Sequence, residues 1–158
     1  MRCALALLVA VSVQAAPARV WHGVVTHVSD GDSLWVRPLG GGLAQRLRLQ
    51  GMDAPERCQR WGVQAKLALE TLLLGHAVVV EPQGQDVYGR GLARVRWQGV
   101  DVGGWMVAQG LAWSSSGWGR AGPYLALQVQ AQTAQRGLFS EPSAMAPSVF
   151  RRSLGPCP

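Results

Sequence analysis

The sequence predicts a small β-barrel carrying helices. Five short stretches rich in Val, Leu and Trp end at Gly or Pro turns, the spacing of short strands. One helical stretch is inserted among them, and further helical stretches follow them. The chain has 158 residues, which fits one domain and is enough to bury a sizeable core.

The elements follow in order. Val20, Val24, Val25 and Val28 mark a first strand over 20–28. Leu34-Trp35-Val36 begins a second, and Leu39-Gly40-Gly41-Gly42 is turn material. In the third, 44–50, Leu47 and Leu49 alternate with Arg46, Arg48 and Gln50, so Arg48 faces away from the leucines. Gly62 to Leu74 reads as a helix, with Val63, Leu67 and Leu74 near one face and Lys66 four residues before Glu70. Gly75 stops it. Ala77 to Glu81 is a fourth strand, closed by Pro82. Leu92 to Trp97 is a fifth, entered through Tyr88-Gly89-Arg90-Gly91. A short helix over 103–109 ends at Gly110, and a longer one over 124–135 ends at Gly137. The domain therefore covers 20–140, followed by a Pro-rich tail, 141–158, whose first part reads as extended chain.

The first fifteen residues have another purpose. Arg2 supplies a positive start, Ala4 to Val13 a short apolar run, and Val13-Gln14-Ala15 the small residues a signal peptidase reads. Residues 1–15 are thus expected to be a secretory signal, with export to a periplasmic or extracellular space. The run is too short to span a bilayer comfortably. Beyond it only Cys58 and Cys157 remain, and in an oxidising compartment a bridge between them is reasonable. Two cysteines without CxxC spacing carry no zinc signature.

Lys and Arg total 15 against 9 Asp and Glu, and Lys66 is the only lysine. An arginine-dominated excess suits a polyanionic partner, because guanidinium forks match phosphate oxygens. Two carboxylate segments sharpen that. Asp30-Gly31-Asp32-Ser33 sits between the first two strands. Asp53-Ala54-Pro55-Glu56 follows Arg48 and the third strand. Hydrolysing a phosphodiester requires a held phosphate, an activated water and stabilised transition-state charge. Asp32 and Asp53 are the carboxylates best placed to hold a hard cation, and oxygen ligands favour Ca²⁺ or Mg²⁺. Glu56 could take a proton from water, and Arg48 and Arg90 could grip one phosphate. Taken singly, each element has a plainer reading. Asp-Gly-Asp makes Asx turns, Asp-Ala-Pro-Glu caps helices, and Tyr-Gly-Arg makes hairpins. The tryptophans suit core packing, although Trp113 or Trp118 could stack a base.

In combination, Asp-Gly-Asp-Ser, Arg-(x)4-Asp-Ala-Pro-Glu and Asp-x-Tyr-Gly-Arg-Gly-Leu-Ala resemble the staphylococcal nuclease family. The segments 107–112 and 134–139 look like later parts of that family, so the resemblance covers about 20–140. It implies a five-stranded OB-fold and a Ca²⁺-dependent nuclease on DNA and RNA, single-stranded or frayed, leaving 3′-phosphates. It also implies site roles. Asp32, Asp53 and the Ala54 carbonyl would hold Ca²⁺. Glu56 would be the general base, Arg48 and Arg90 the phosphate arginines, and Tyr88 a phosphate contact. The chain is expected to be a monomer, and the alternative is a catalytically weak OB-fold module that binds nucleic acid. Three positions depart from the family. Ala54 replaces a threonine, Val87 replaces a lysine, and the 113–118 segment lacks an expected tyrosine.

Overall fold

The computed structural model describes residues 19–115 and 122–158. The expected signal segment, Ser116 and Trp118 lie outside the described residues. Eight strands, four α-helices and a short 3₁₀ helix occur among them. In chain order these are β1 (Trp21–Val28), β2 (Ser33–Pro38), β3 (Gln45–Leu49), β4 (Met52–Asp53), α1 (Gly62–Leu73), β5 (Ala77–Gln85), β6 (Gly91–Trp97) and β7 (Val100–Asp101). There follow α2 (Val102–Ala108), β8 (Trp113–Ser114), α3 (Leu125–Thr133), the 3₁₀ turn Gly137–Ser140 and α4 (Pro147–Leu154).

Strands β1, β2 and β3 form an antiparallel meander, and β5 and β6 continue it on the other edge of β1. The edges meet because β3 also pairs in parallel with β6, Arg48 opposite Leu92. The result is a closed five-stranded mixed barrel, the small barrel that the sequence pattern predicts and the OB-fold that the resemblance implies. Closure leaves no free edge among these five strands, which removes the usual template for aggregation. Alternation fills the interior with Val25, Leu34, Val36, Leu47, Leu49, Val80, Ala93 and Val95, all buried. Val102, Met106 and Val107 of α2 belong to the same core.

Three expectations need correction. The buried face of α1 is Ala65, Leu69 and Leu73, whereas Val63, Leu67 and Leu74 are exposed. Small Ala65 lets the helix approach the barrel closely, so a bulkier residue elsewhere on the helix is a poor guide to the inner face. Strand β5 also runs past Pro82 to Gln85, because a register shift between Pro82 and Gly84 absorbs the missing donor. Lastly, the tail is not wholly extended: Pro147 starts α4 at the position where a helix has no use for an N–H.

Tyr124 joins two of the helices. Its hydroxyl donates to Asp101, at 3.0 Å from each carboxylate oxygen, and Asp101 Oδ1 caps α2 through the Gly104 N–H. Burial, aided by the Asp101 charge, pushes the Tyr124 phenol up to about 12. Because the folded value is raised, its stabilisation is complete below the ordinary value near 10 and fades as pH rises toward 12. Tyr124→Phe should destabilise the fold by about 1.5–3 kcal/mol, as loss of a hydrogen bond to a charged acceptor does. Urea melts at neutral pH check this. An unchanged midpoint would show that the bond contributes nothing.

Candidate active site

The site gathers at one end of the barrel, where strand ends and three loops meet. Asp32 closes the β1–β2 connection. Its backbone carbonyl accepts from the Leu49 N–H at 2.8 Å, and Asp30 Oδ1 accepts from its N–H at 3.0 Å. Gly31 allows this turn to press inward: a Cβ there would lie 2.7 Å from the Ala54 Cβ and 2.8 Å from that of Ala65. Asp30-Gly31-Asp32 is therefore an Asx turn as well as a site element. Asp53 lies in β4, which pairs with β8, Asp53 opposite Trp113. The Asp53-Ala54-Pro55-Glu56 segment is not a helix cap, since α1 begins only at Gly62 and has no side-chain cap. Gly62 instead lets the loop fold back on the helix, where a Cβ would collide with the Glu56 carbonyl.

Arg48 stands between the two aspartates. Its guanidinium reaches Asp32 Oδ2 at 2.7 Å and Asp53 Oδ1 at 2.8 Å. Both carboxylates are buried, and the Ala54 N–H lies 3.4 Å from Asp32 Oδ2. Burial, with Asp30 and Asp53 nearby, pushes the Asp32 carboxyl up to about 7 against the pull of Arg48. Burial works against the Arg48 charge, but Asp32 and Asp53 outweigh it and hold its proton more tightly than usual.

Arg90 is fixed by its own turn. Asp86 Oδ1 accepts from the N–H groups of Tyr88 and Arg90, and Asp86 Oδ2 accepts from Arg90 Nε at 2.7 Å. Gly89, at a φ of 74°, allows the chain to close this tightly. Burial would raise the Asp86 carboxyl, but these donors outweigh it and leave it below its ordinary range. Tyr88 is exposed and sets its ring 5.6 Å from the Arg90 guanidinium carbon.

Asp32, Arg48, Ala54, Glu56, Tyr88 and Arg90 line a single cavity of about 370 Å³. Asp53 faces the adjoining cleft, whose lining also includes Arg48. Every candidate position is thus brought to one place. Trp113 is not a stacking platform: it packs edge-on against Phe139 at 4.9 Å between ring centres. Val87 is exposed at the turn and offers the site no cation.

One residue was missed. Arg151 of α4 donates to Glu56 Oε1 at 2.6 Å and to both oxygens of Asp53, at 3.2 and 2.9 Å. Burial opposes its charge, but the bonds from Asp53 and Glu56 raise its affinity for the proton. The Arg151-Arg152 pair, four residues after Pro147, is the only signal in the sequence, and its partners Asp53 and Glu56 lie about a hundred residues away. A disulfide between Cys58 and Cys157 ties this tail to the loop that carries Glu56.

Buried carboxylates and converging arginines thus gather at one end of a small closed barrel, and guanidinium groups are the donors that match phosphate oxygens. The family model described as staphylococcal nuclease homologue matches residues 46–141, which include Arg48, Asp53, Glu56 and Arg90. The chain belongs to this family. It is 34% identical to an uncharacterized endonuclease of Haemophilus influenzae over 81% of this chain and 71% of that one. It is 35% identical to protein ParB of Escherichia coli, covering 96% and 90% of the two chains. It is 31% identical to a micrococcal nuclease of Shigella flexneri, covering 97% of each.

Proposed function

We propose that the chain is an exported, Ca²⁺-dependent nuclease that hydrolyses phosphodiester bonds in DNA and RNA. The observation that carries this reading is the single cavity in which Glu56, Arg48 and Arg90 meet beside Asp32 and Asp53, in a chain of this family. The names of its relatives, endonuclease and micrococcal nuclease, agree with it. Export is supported by the leader-like residues 1–15 and by the disulfide, which suits an oxidising compartment.

The residues fit a hard divalent ion in chemistry. Asp32 and Asp53 converge closely enough to share one guanidinium, and their oxygens are the ligand type Ca²⁺ takes. Among the described residues no cluster of three or more His, Cys, Asp or Glu is placed to hold a metal. Asp32, Asp53 and the Ala54 carbonyl would therefore hold the ion with water and substrate completing its shell, in the flexible oxygen geometry that Ca²⁺ accepts and the stricter octahedron of Mg²⁺ does not. When bound, the ion supplies Lewis acidity at the phosphate.

The protein's own groups then divide the work. Arg48 and Arg90 hold the phosphate and oppose the charge that builds on its oxygens. Tyr88, exposed at the cavity mouth, contacts a neighbouring phosphate. Glu56 accepts a proton from water as its oxygen bonds to phosphorus. The bond from phosphorus to the 5′ oxygen breaks, that oxygen takes up a proton, and a 3′-phosphate remains.

Incubation of purified protein with single-stranded DNA tests the reading. Cleavage is expected with Ca²⁺, weakly with Mg²⁺, and not with excess EGTA. Equal turnover in EGTA would sink the metal-dependent mechanism. Binding without cleavage under all conditions would favour a nucleic-acid-binding module instead.

A further inference from the structure

Arg151 is the part of the site that this mechanism does not use. It lies on α4, a surface helix in which Pro147 is the only buried residue. Its guanidinium nevertheless turns back to the carboxylates. It takes Glu56 Oε1 and both oxygens of Asp53, while Arg48 takes Asp53 Oδ1 as well. No oxygen of Asp53 is therefore without a cationic donor. A divalent ion needs those same oxygens, and two cations on one carboxylate oxygen repel each other.

The two arginines differ in how firmly they are placed. Arg48 belongs to a barrel strand and is largely covered, so its position is fixed by the fold. The Arg151 side chain is 40% exposed on a lightly packed helix. It is the displaceable one. What keeps it near is the attachment of its segment at both ends. Before the helix, Gln59 donates to the Met145 carbonyl at 2.7 Å, and Arg60 and Trp61 both reach Glu141. After it, Cys157 is bonded to Cys58. All of these anchors lie in the loop that carries Glu56. Arg151 thus meets its carboxylates as an intramolecular ligand, at the high effective concentration a short tether gives.

We propose that Arg151 is a tethered internal cation that competes with the divalent metal for Asp53 while it also pairs with Glu56. The disulfide-anchored tail then sets the metal concentration at which the site loads. The proposal rests on the metal-dependent reading above and adds a regulator to it. Only the fraction of molecules with Arg151 swung away is ready to bind metal, and apparent affinity falls by that fraction.

The experiment is calorimetric titration of Ca²⁺ into the oxidised protein and into Arg151→Gln, Arg151→Lys and Cys157→Ser, with circular dichroism to verify folding. Arg151→Gln removes the charge and should bind Ca²⁺ roughly tenfold more tightly than the parent. Arg151→Lys keeps a cation without the fork and should fall between the two. Cys157→Ser lengthens the tether and should shift affinity in the same direction by a smaller factor. Equal Ca²⁺ affinity in the parent and Arg151→Gln would overturn the proposal and leave the nuclease reading intact. Folded protein that binds no Ca²⁺ in any variant would overturn both.

Discussion

Arg90→Ala should lower turnover by about 10²–10³-fold while leaving the barrel folded. A preorganised donor aimed at developing charge typically supplies roughly 3–4 kcal/mol. Arg90 is preorganised in this sense, because Asp86 holds its Nε and the turn holds its backbone. Removing the side chain leaves that turn its hydrogen bonds from the Tyr88 and Arg90 N–H groups, so the fold should survive. Affinity for nucleic acid should fall less than rate if the contact strengthens in the transition state. Single-turnover rates and equilibrium binding on one oligonucleotide separate the two. A rate within threefold of the parent, with an unchanged melt, would mean that Arg90 only builds the hairpin.

Glu56→Gln should cost about 10²-fold or more in turnover, the usual contribution of a placed general base. The amide keeps the size of the side chain and an oxygen that can still accept from Arg151, so the loop has no reason to move. Binding of nucleic acid should change little, since Glu56 is not asked to hold the phosphate. The pH–rate profile gives a second readout: the limb belonging to the base should vanish in the variant. Retention of full activity would move the proton transfer to another group.

Much of this molecule was legible in the sequence because strands and turns obey local rules. Leu47 and Leu49 alternate with Arg48, and the structure places those leucines inside and Arg48 at the cavity. Gly75 and Gly110, both at positive φ, end their helices as read. Five of the seven candidate positions came from motif order and spacing, Ala54 and Tyr88 came from the family resemblance, and a closed barrel brings them together. What failed depended on tertiary context. The inner face of α1 is chosen by how closely Ala65 can approach the barrel, which helical periodicity alone does not reveal. The continuation of β5 beyond Pro82 needs a bulge whose partner is β6. Arg151 was invisible because its role is assigned by partners far away in sequence: Asp53, Glu56 and the Cys58–Cys157 bridge.

The parallel pairing of β3 with β6 has a consequence for how activity and folding are coupled. The meander of β1, β2 and β3 has only short-range connections and assembles Asp32 beside Arg48 by itself. Arg90 arrives only when β6 docks against β3 through the Leu47–Gly91, Arg48–Leu92 and Leu49–Ala93 neighbours. That seam is one of the non-local pairings of the topology, together with β1–β5 and β4–β8, and such pairings slow folding. A molecule folded only as far as the meander would have Asp32 and one arginine, but neither an Asp53 fixed by β8 nor a second arginine to complete the grip. Opening of the same seam in the native protein would separate the two arginines. Loss of catalysis should then track loss of amide protection at Gln50, whose N–H bonds to the Ala93 carbonyl across this seam.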